Sequence, residues 1–506
     1  MKPLLLLSSL LLSSCLLHAQ PPAFIADSLD RYIERGMADW QIPGLAIAVV
    51  KDGKVVVSKG FGVREAGKSE PVDENTLFLI ASNTKLFTGT ALAKLEDDKK
   101  LSLNDKVTKF FPDYQLFDPT STALVSVRDL LCHRLGTKTF QGDFTFWNTD
   151  LPRAEVIRRM RLLKPTGQFR QDYGYCNSAF VTAGEIIPKV TGQSWEAYVE
   201  TNLLKPLGMT NTYMLTAGAE NRSNVARPHT SSFGPLRRIP YDVVDNLGPA
   251  GSMVSSVKDL SKWLMMQLDS GRLDGQRILP WSVVQRTRDA NTIVGSRKST
   301  VLPRHFQTYG LGVLSADYAG RQIFWHTGGA FGFVTNTCFV PEEKLAITIL
   351  TNNDNQSFFE ALRYQILDAY LGVPYTNRSA FFLKQARAGM AEEQATLKAL
   401  ADRVAKGNKP SLPLMAFAGT YRNELYGTIT LKPAGTGLDV LFEHHPRMTA
   451  RLEYMDDNTF RLTYSNQAFG VFPARFSVDG NTVKSVEIKA SDFVEYDPYV
   501  FTKAAR

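Results

Sequence analysis

Apolar residues recur at Ile25, Leu29, Ile33 and Met37, a spacing that predicts a helix from Phe24 to Trp40. The period then changes. In GLAIAVVKDGKVVVSKGFGV two β-branched runs flank Asp52-Gly53, the signature of a tight hairpin. From about Thr76 to Leu273 helical patterning dominates, broken by Pro and Gly as in KPTGQF and KPLGMT. Strand patterning returns in YGLGVLSADYAGRQIFWHTGG and FGFVTNTCFVPEEKLAITILTNN, which read as two hairpins, and Phe358 to Tyr370 reads as a closing helix. Together these predict an α/β (α+β) domain over 24–375. Its antiparallel sheet is built from both ends, the first two strands pairing with strands from roughly Leu311 to Thr351. Helices flank the sheet, and a large helical insertion separates its two halves.

The rest of the chain reads differently. Phe381 to Ala405 is rich in strong helix formers, and KGNKPSLPL follows as a breaker, so 376–413 is a helical linker. From Leu414 to Arg506 short alternating runs predict a separate all-β domain, a barrel or a sandwich. At the other end, Lys2 precedes PLLLLSSLLLSSCLLHAQ, which reads as a secretory signal peptide over 1–19, cleaved near Ala19. LSSC, Leu12 to Cys15, resembles a lipoprotein box that would place a lipid on Cys15, but the apolar run continues past it. The expected location is periplasmic or extracellular. No later stretch is long and apolar enough to span a membrane.

Composition narrows the classes. With 506 residues, 44% hydrophobic and 21% charged, the chain is globular and has more than one core. The net charge of +8 is spread along the chain without a Lys/Arg block, which argues against nucleic-acid binding. Beyond the leader, Cys132, Cys176 and Cys338 are an odd set without metal spacing and are expected to be buried free thiols. EHHP places His444 beside His445 with no carboxylate at ligand spacing. These are expected to be surface or hairpin residues, not a metal site. TGGAFGF lacks the context of a phosphate loop, and no cofactor is implied.

The candidate chemistry begins at ASNTKLF. Lys85 sits in the first turn of a predicted helix, where a cation is unfavourable. At three residues' separation it shares a face with Ser82, whose proton it could accept. Ser255 and Lys258 repeat that spacing, but Ser256 with Asp259 makes that stretch an ordinary helix cap. DYGYCNSAF offers Tyr175 and Asn177, a phenol and an amide on one loop, and a phenol beside a lysine can act as general base. Tyr375, Tyr421 and Tyr464 repeat Tyr-x-Asn. FWHTGGAFGF ends a strand at His326, Thr327, Gly328 and Gly329, where glycines admit close backbone approach. Only Ser82, Tyr175 and His326 give nucleophile, phenol and strand residue in that order with wide gaps between them.

Ser82-Asn83-Thr84-Lys85, Tyr175-Cys176-Asn177 and His326-Thr327-Gly328 resemble the serine β-lactamase and penicillin-binding superfamily. The branch is that of class C β-lactamases, D-aminopeptidases and esterases. QIPGLAIAVVKDGKVV, VSVRDLLCHRLG and GPAGSMVSSVKDLSKWL fit too, so the resemblance covers roughly Phe24 to Tyr370, and the tail resembles a lipocalin-like β-domain. It implies that Ser82 is acylated, that Lys85 assists its deprotonation, and that Tyr175 is general base and then acid. Asn177 would bind the substrate's acyl amide. His326 would tune Tyr175 or meet a substrate carboxylate. Thr327, Gly328 and Gly329 would line the substrate side, and the N–H groups of Ser82 and Gly329 would form the oxyanion hole.

The implied function is an exported serine hydrolase acting on D-amino-acid peptides, peptidoglycan-like fragments, amides or esters. A true β-lactamase is one alternative; a silent protein that binds peptidoglycan or a partner is the other. Histidine at 326, where relatives often carry lysine, shifts weight away from β-lactam hydrolysis. Cys176 and the CHRLG phrase are lesser departures.

Overall fold

A computed structural model describes residues 21–505, so the leader and Cys15 lie outside the described residues. The first apolar pattern folds as a π-type turn, Phe24–Ser28, and helix α1, Leu29–Asp39, which buries Leu29, Ile33 and Met37. Strands β1 (Gly44–Lys51) and β2 (Lys54–Gly62) follow. Asp52 and Gly53 between them both take positive φ, as the two-residue turn requires. The insertion supplies α2 (Thr84–Asp97) and α3 (Asn177–Gly184). Six strands return the chain to the sheet: β3 (Thr292–Gly295), β4 (Gln307–Tyr309), β5 (Leu314–Tyr318), β6 (Arg321–Ala330), β7 (Phe333–Val340) and β8 (Leu345–Thr351). Helix α4, Phe358–Leu371, closes the domain.

The sheet runs β2-β1-β8-β7-β6-β5-β4-β3, antiparallel throughout. Leu45 of β1 lies opposite Thr351 of β8, so the sheet is joined from both ends of the domain, as the patterning predicts. The short strands β3 and β4 are an addition, since runs of three or four residues carry too little alternation to read. Alternate residues of β1 go to two cores. Leu45, Ile47 and Val49 pack with α1 and α4, while Ala46, Ala48 and Val50 pack with the insertion. That two-sided burial explains why β7 and β8 are buried at every residue.

Within the insertion, Asp129 closes a capping box with Ser126 and receives Arg134 at 2.7 Å and Arg170 at 2.8 Å. Burial works to raise its pKa, but Arg170, Ser126 and Arg134 outweigh it and hold the carboxyl below its ordinary value. Its stabilisation is therefore present above the unfolded carboxyl pKa and lost as pH falls through the lower folded one. Asp129→Ala is expected to destabilise the domain by about 3 kcal/mol in a urea melt at pH 7, and by less in acid.

Helix α5, Arg378–Ala405, leads to the second domain. This is a closed barrel of eight consecutive antiparallel strands running from Gly419–Asn423 to Tyr499–Lys503, a meander and not a sandwich. The first and last strands pair through Tyr421 opposite Lys503. Side chains such as Ile429, Leu452, Phe460, Leu462 and Phe501 fill its interior.

The barrel docks on the first domain through Phe144. This ring stacks on Tyr426 at 5.4 Å and on His445 at 5.1 Å. That contact corrects the reading of EHHP. His445 does lie in a hairpin turn, but the turn faces the other domain and the residue is buried. Its Nε2–H donates to the Trp147 carbonyl at 3.1 Å and its Nδ1 accepts from the Tyr426 hydroxyl at 2.7 Å. Burial pushes its pKa down to about 3, which keeps it neutral. Cys132, Cys176 and Cys338 are buried and free. Among the described residues no helix is long and apolar enough to cross a membrane, and no metal-ligand cluster occurs.

Candidate active site

Residues Phe78–Leu79 pair with Val254–Ser255, and the next turn, Ala81–Asn83, leads directly into α2. Ala81 holds φ +45, a left-handed conformation that costs a side-chain-bearing residue about 1–3 kcal/mol. Buried Asn83 anchors the turn to β7 through Thr335 Oγ1 at 2.8 Å. Ser82 is left as the one residue of the turn that is not buried. It is not a helix cap, since Asn83 occupies that place.

Lys85 is fully buried one helical turn on. Its Nζ donates to Ser82 Oγ at 3.1 Å, Asn177 Oδ1 at 2.6 Å and the Ala250 carbonyl at 2.8 Å. Three acceptors match the three protons of an ammonium, while burial opposes the charge. Desolvation wins and brings the pKa down to about 7, against smaller raising pulls from Asp143 and Cys176. The lysine is therefore poised between ammonium and free amine near neutral pH.

Tyr175 lies beside this pair, its ring centroid 4.6 Å from Lys85 Nζ. Among the described residues its buried hydroxyl makes no hydrogen bond of standard geometry, Ser82 being the hydroxyl that acts on it. Burial pushes its pKa well above the ordinary phenol value, against a downward pull from Ser82. This corrects the expectation that lysine makes Tyr175 a resting base: it is a neutral phenol, and Lys85 is the group that can be unprotonated. His133 supports the ring from behind at 4.0 Å, with its Nδ1 accepting the Cys176 N–H at 3.0 Å.

His326 is also buried. Its Nδ1 must donate to the Thr327 carbonyl at 2.8 Å, so its Nε2 accepts from the Tyr309 hydroxyl at 2.9 Å. Burial, with Lys85 adding to it, pushes its pKa down to about 3. The ring is thus neutral with both nitrogens occupied, and the reading of His326 as a receptor for a substrate carboxylate is corrected. It braces the cleft with its ring centroid 6.1 Å from that of Tyr175.

Two further residues differ from expectation. Asn177 gives its Oδ1 to Lys85 and donates from Nδ2 to Asp143 at 2.6 Å, so it bridges protein groups before it can bind a substrate amide. Gly328 packs inward: a Cβ there would come within 2.0 Å of the Ile80 carbonyl. Thr327 and Gly329 line the cleft with Ser82, Tyr175, Asn177 and His326, in a space of about 600 Å³. β5 pairs with β6 only as far as Trp325, opposite Leu314. From His326 to Ala330 the strand pairs with β7 alone, leaving its other edge to the cleft.

The decoys lie elsewhere. Ser255 is buried and bonded to Thr212 at 2.8 Å, while Lys258 is exposed. Tyr375 is on the surface, and Tyr421 and Tyr464 are in the barrel core. Sequence reading missed Asp143, which Glu495 of the barrel holds in place. The Glu495 carboxylate accepts Gly142 N–H at 2.8 Å and Phe144 N–H at 3.0 Å, on either side of Asp143. It also missed Asp492, Phe493, Val494 and Tyr496, which bring the barrel into the cleft wall.

Comparison with known proteins agrees with this arrangement. A family model described as Beta-lactamase matches residues 29–371, and a domain of unknown function, DUF3471, matches 403–503. The unguisins hydrolase of Aspergillus violaceofuscus is 27% identical, over 79% of this chain and 76% of its own. Protein flp of Staphylococcus aureus (strain N315) is 26% identical, over 67% of this chain and 66% of its own. The octameric penicillin-binding protein homologue from Pyrococcus abyssi superposes with a TM-score of 0.61 at 24% identity, covering 94% of this chain and 99% of that one. With a family model spanning more than half of its length, and a buried lysine bonded to a serine at the head of α2, the chain belongs to the β-lactamase family of serine hydrolases.

Proposed function

We propose that the protein hydrolyses amides, peptides or esters through an acyl-enzyme on Ser82. The observation that carries this reading is Lys85 Nζ at 3.1 Å from Ser82 Oγ, with a pKa of about 7. In its amine form Lys85 takes the Ser82 proton as Oγ bonds to the substrate carbonyl. The N–H groups of Ser82 and Gly329 would receive the oxyanion. As the C–N or C–O bond breaks, the neutral phenol of Tyr175 gives its proton to the leaving group, and the Lys85 ammonium stabilises the phenolate that remains. Water then attacks the acyl carbon, the phenolate takes its proton, and the Ser82 Oγ that is released takes back its proton from Lys85, which returns all three groups to their starting forms.

The cleft wall favours substrates without a carboxylate beside the scissile bond. The ionisable acids lining it are Asp143, Asp354 and Asp492, no lysine or arginine among the described residues lines it, and His326 is neutral. That counts against a β-lactamase and against peptidases that require a free terminal carboxylate. Ser82 and Tyr175 on the cleft wall, with buried Lys85 bonded to Ser82, count against a silent binding protein. The hydrolase name of the Aspergillus relative is consistent with amide or ester cleavage. The reading of 1–19 as a secretory leader supports work outside the cytoplasm.

The test is covalent labelling of the mature protein with a fluorophosphonate and, separately, a fluorescent penicillin, the adduct being mapped by mass spectrometry. An adduct on Ser82 from fluorophosphonate, with weak or no penicillin labelling, is expected. No adduct on folded protein would refute the reading. Tyr175→Phe is expected to slow amide turnover by about 10²-fold. It should lower kcat/KM for nitrophenyl esters much less, since that leaving group needs no proton and kcat/KM reports acylation alone, and steady-state kinetics on the two substrate types would show the difference.

A further inference from the structure

We propose that the barrel segment Ser491–Tyr496 is the specificity wall of the serine site, and that Phe493 limits the site to compact substrates. The inference rests on the serine-hydrolase reading and assigns the second domain a role in it.

The cleft-facing edge of β6, His326 to Ala330, is where an extended substrate would add as a strand. Phe493 stands over that edge. Its ring is close enough that a Cβ on Gly329 would meet Phe493 Cζ at 3.0 Å. It also stacks on Phe331, the residue after β6, at 5.6 Å and 24°. A chain running along the edge past Gly329 would have to displace this ring. On the other side of the cleft, Tyr496 packs on Phe140 at 5.7 Å, and Phe140 meets Tyr175 edge-on at 5.5 Å.

The segment is pinned in this place. Phe493 and Glu495 donate their N–H groups to the Oγ and carbonyl of Ser491, at 3.2 Å and 3.1 Å. Ser491 N–H in turn donates to the Phe469 carbonyl at 2.9 Å. Across the domain boundary, Glu495 holds the Asp143 turn and Asp497 pairs with Lys138 at 2.5 Å. Phe144 fills the barrel mouth. A wall fixed at so many points selects by exclusion, and the remaining 600 Å³ suits a small amide, ester or short peptide, not a polymer strand.

The experiment uses two substrate series with the same scissile bond and leaving group, one carrying a short acyl part and one extended by four residues. Wild-type protein is compared with Phe493→Ala, and both are checked for fold by thermal melting and for a fluorophosphonate adduct on Ser82. Wild-type protein is expected to prefer the short series. Phe493→Ala should shift the ratio of kcat/KM, long over short, upward by about tenfold or more. If Ser82 takes the adduct in both proteins and the ratio does not move, or wild-type protein already takes the long series equally well, the wall is refuted. If neither protein takes an adduct, the serine-hydrolase reading itself fails.

Discussion

Ser82→Ala is expected to lower turnover by a factor on the order of 10⁶ and to abolish fluorophosphonate labelling, with the fold intact. The size follows from the chemistry: without Oγ there is no nucleophile to acylate, and the remaining donors can only polarise a carbonyl for water. The fold survives because Ser82 is the one residue of its turn that is not buried, and it caps nothing. The control is Ser255→Ala. Ser255 has the same spacing to a lysine, but its hydroxyl is bonded to Thr212 in the core and Lys258 is exposed. That variant should lose some stability through the broken bond, about 1 kcal/mol, and keep its kcat/KM. Steady-state assays and melts of both variants would show whether serine–lysine spacing or serine–lysine contact matters. Equal loss of activity in the two would remove Ser82 from the mechanism.

The same comparison shows how much of the site was legible in the sequence. Ser82, Lys85, Tyr175 and His326 are read as a set because their residue types are unusual for their local positions and their order along the chain excludes the decoys. The sheet is read because its hairpins carry period-two patterning and turn residues. The roles of the side chains are less legible. Nothing in DYGYCNSAF tells that the Tyr175 hydroxyl is buried, since that depends on His133 and Phe140 arriving from other segments. Nothing in FWHTGG tells that Tyr309 and the Thr327 carbonyl occupy both nitrogens of His326. The strain at Ala81 has no sequence signal, because alanine is not the residue a left-handed position selects.

The barrel's part in the site was the least legible. GDFTFW reads only as part of a long loop within the insertion, yet its short helix puts Asp143 on Asn177 and Phe144 in the barrel. SDFVEYDPY leads into the last barrel strand, yet Glu495 within it reaches across to hold the first of these segments. The contacts of Phe144 and of Glu495 belong to the packing of the two domains, between residues 282 to 353 apart in sequence. Such pairings leave no periodic trace in either partner. The buried glutamate is also an electrostatic neighbour of the catalytic lysine's surroundings. Burial pushes Glu495 up to about 7 and Asp143 well above its ordinary value, so the pull of Asp143 on the Lys85 proton is weak beside the desolvation that lowers it.

That condition sets the expectation for Lys85. Lys85→Met should lower kcat/KM by about 10³- to 10⁴-fold, since it removes the group that takes the serine proton. In wild-type protein, kcat/KM should rise with pH through about 7, because only the amine form has a lone pair for the proton and burial has moved its pKa there. A lysine at its ordinary value would give a rise three pH units later. Lys85→Arg separates the two roles open to the residue, base and fixed charge. The guanidinium keeps a positive charge and donors for Ser82, Asn177 and Ala250, but it stays protonated throughout the accessible range. If the lysine acts as a base, the arginine variant is as inactive as the methionine variant and its residual activity no longer rises through 7. If the arginine variant keeps most of the activity, the lysine acts only as a fixed charge. The serine proton would then have to leave through Tyr175, whose raised pKa would place the rise of the pH profile far above neutrality.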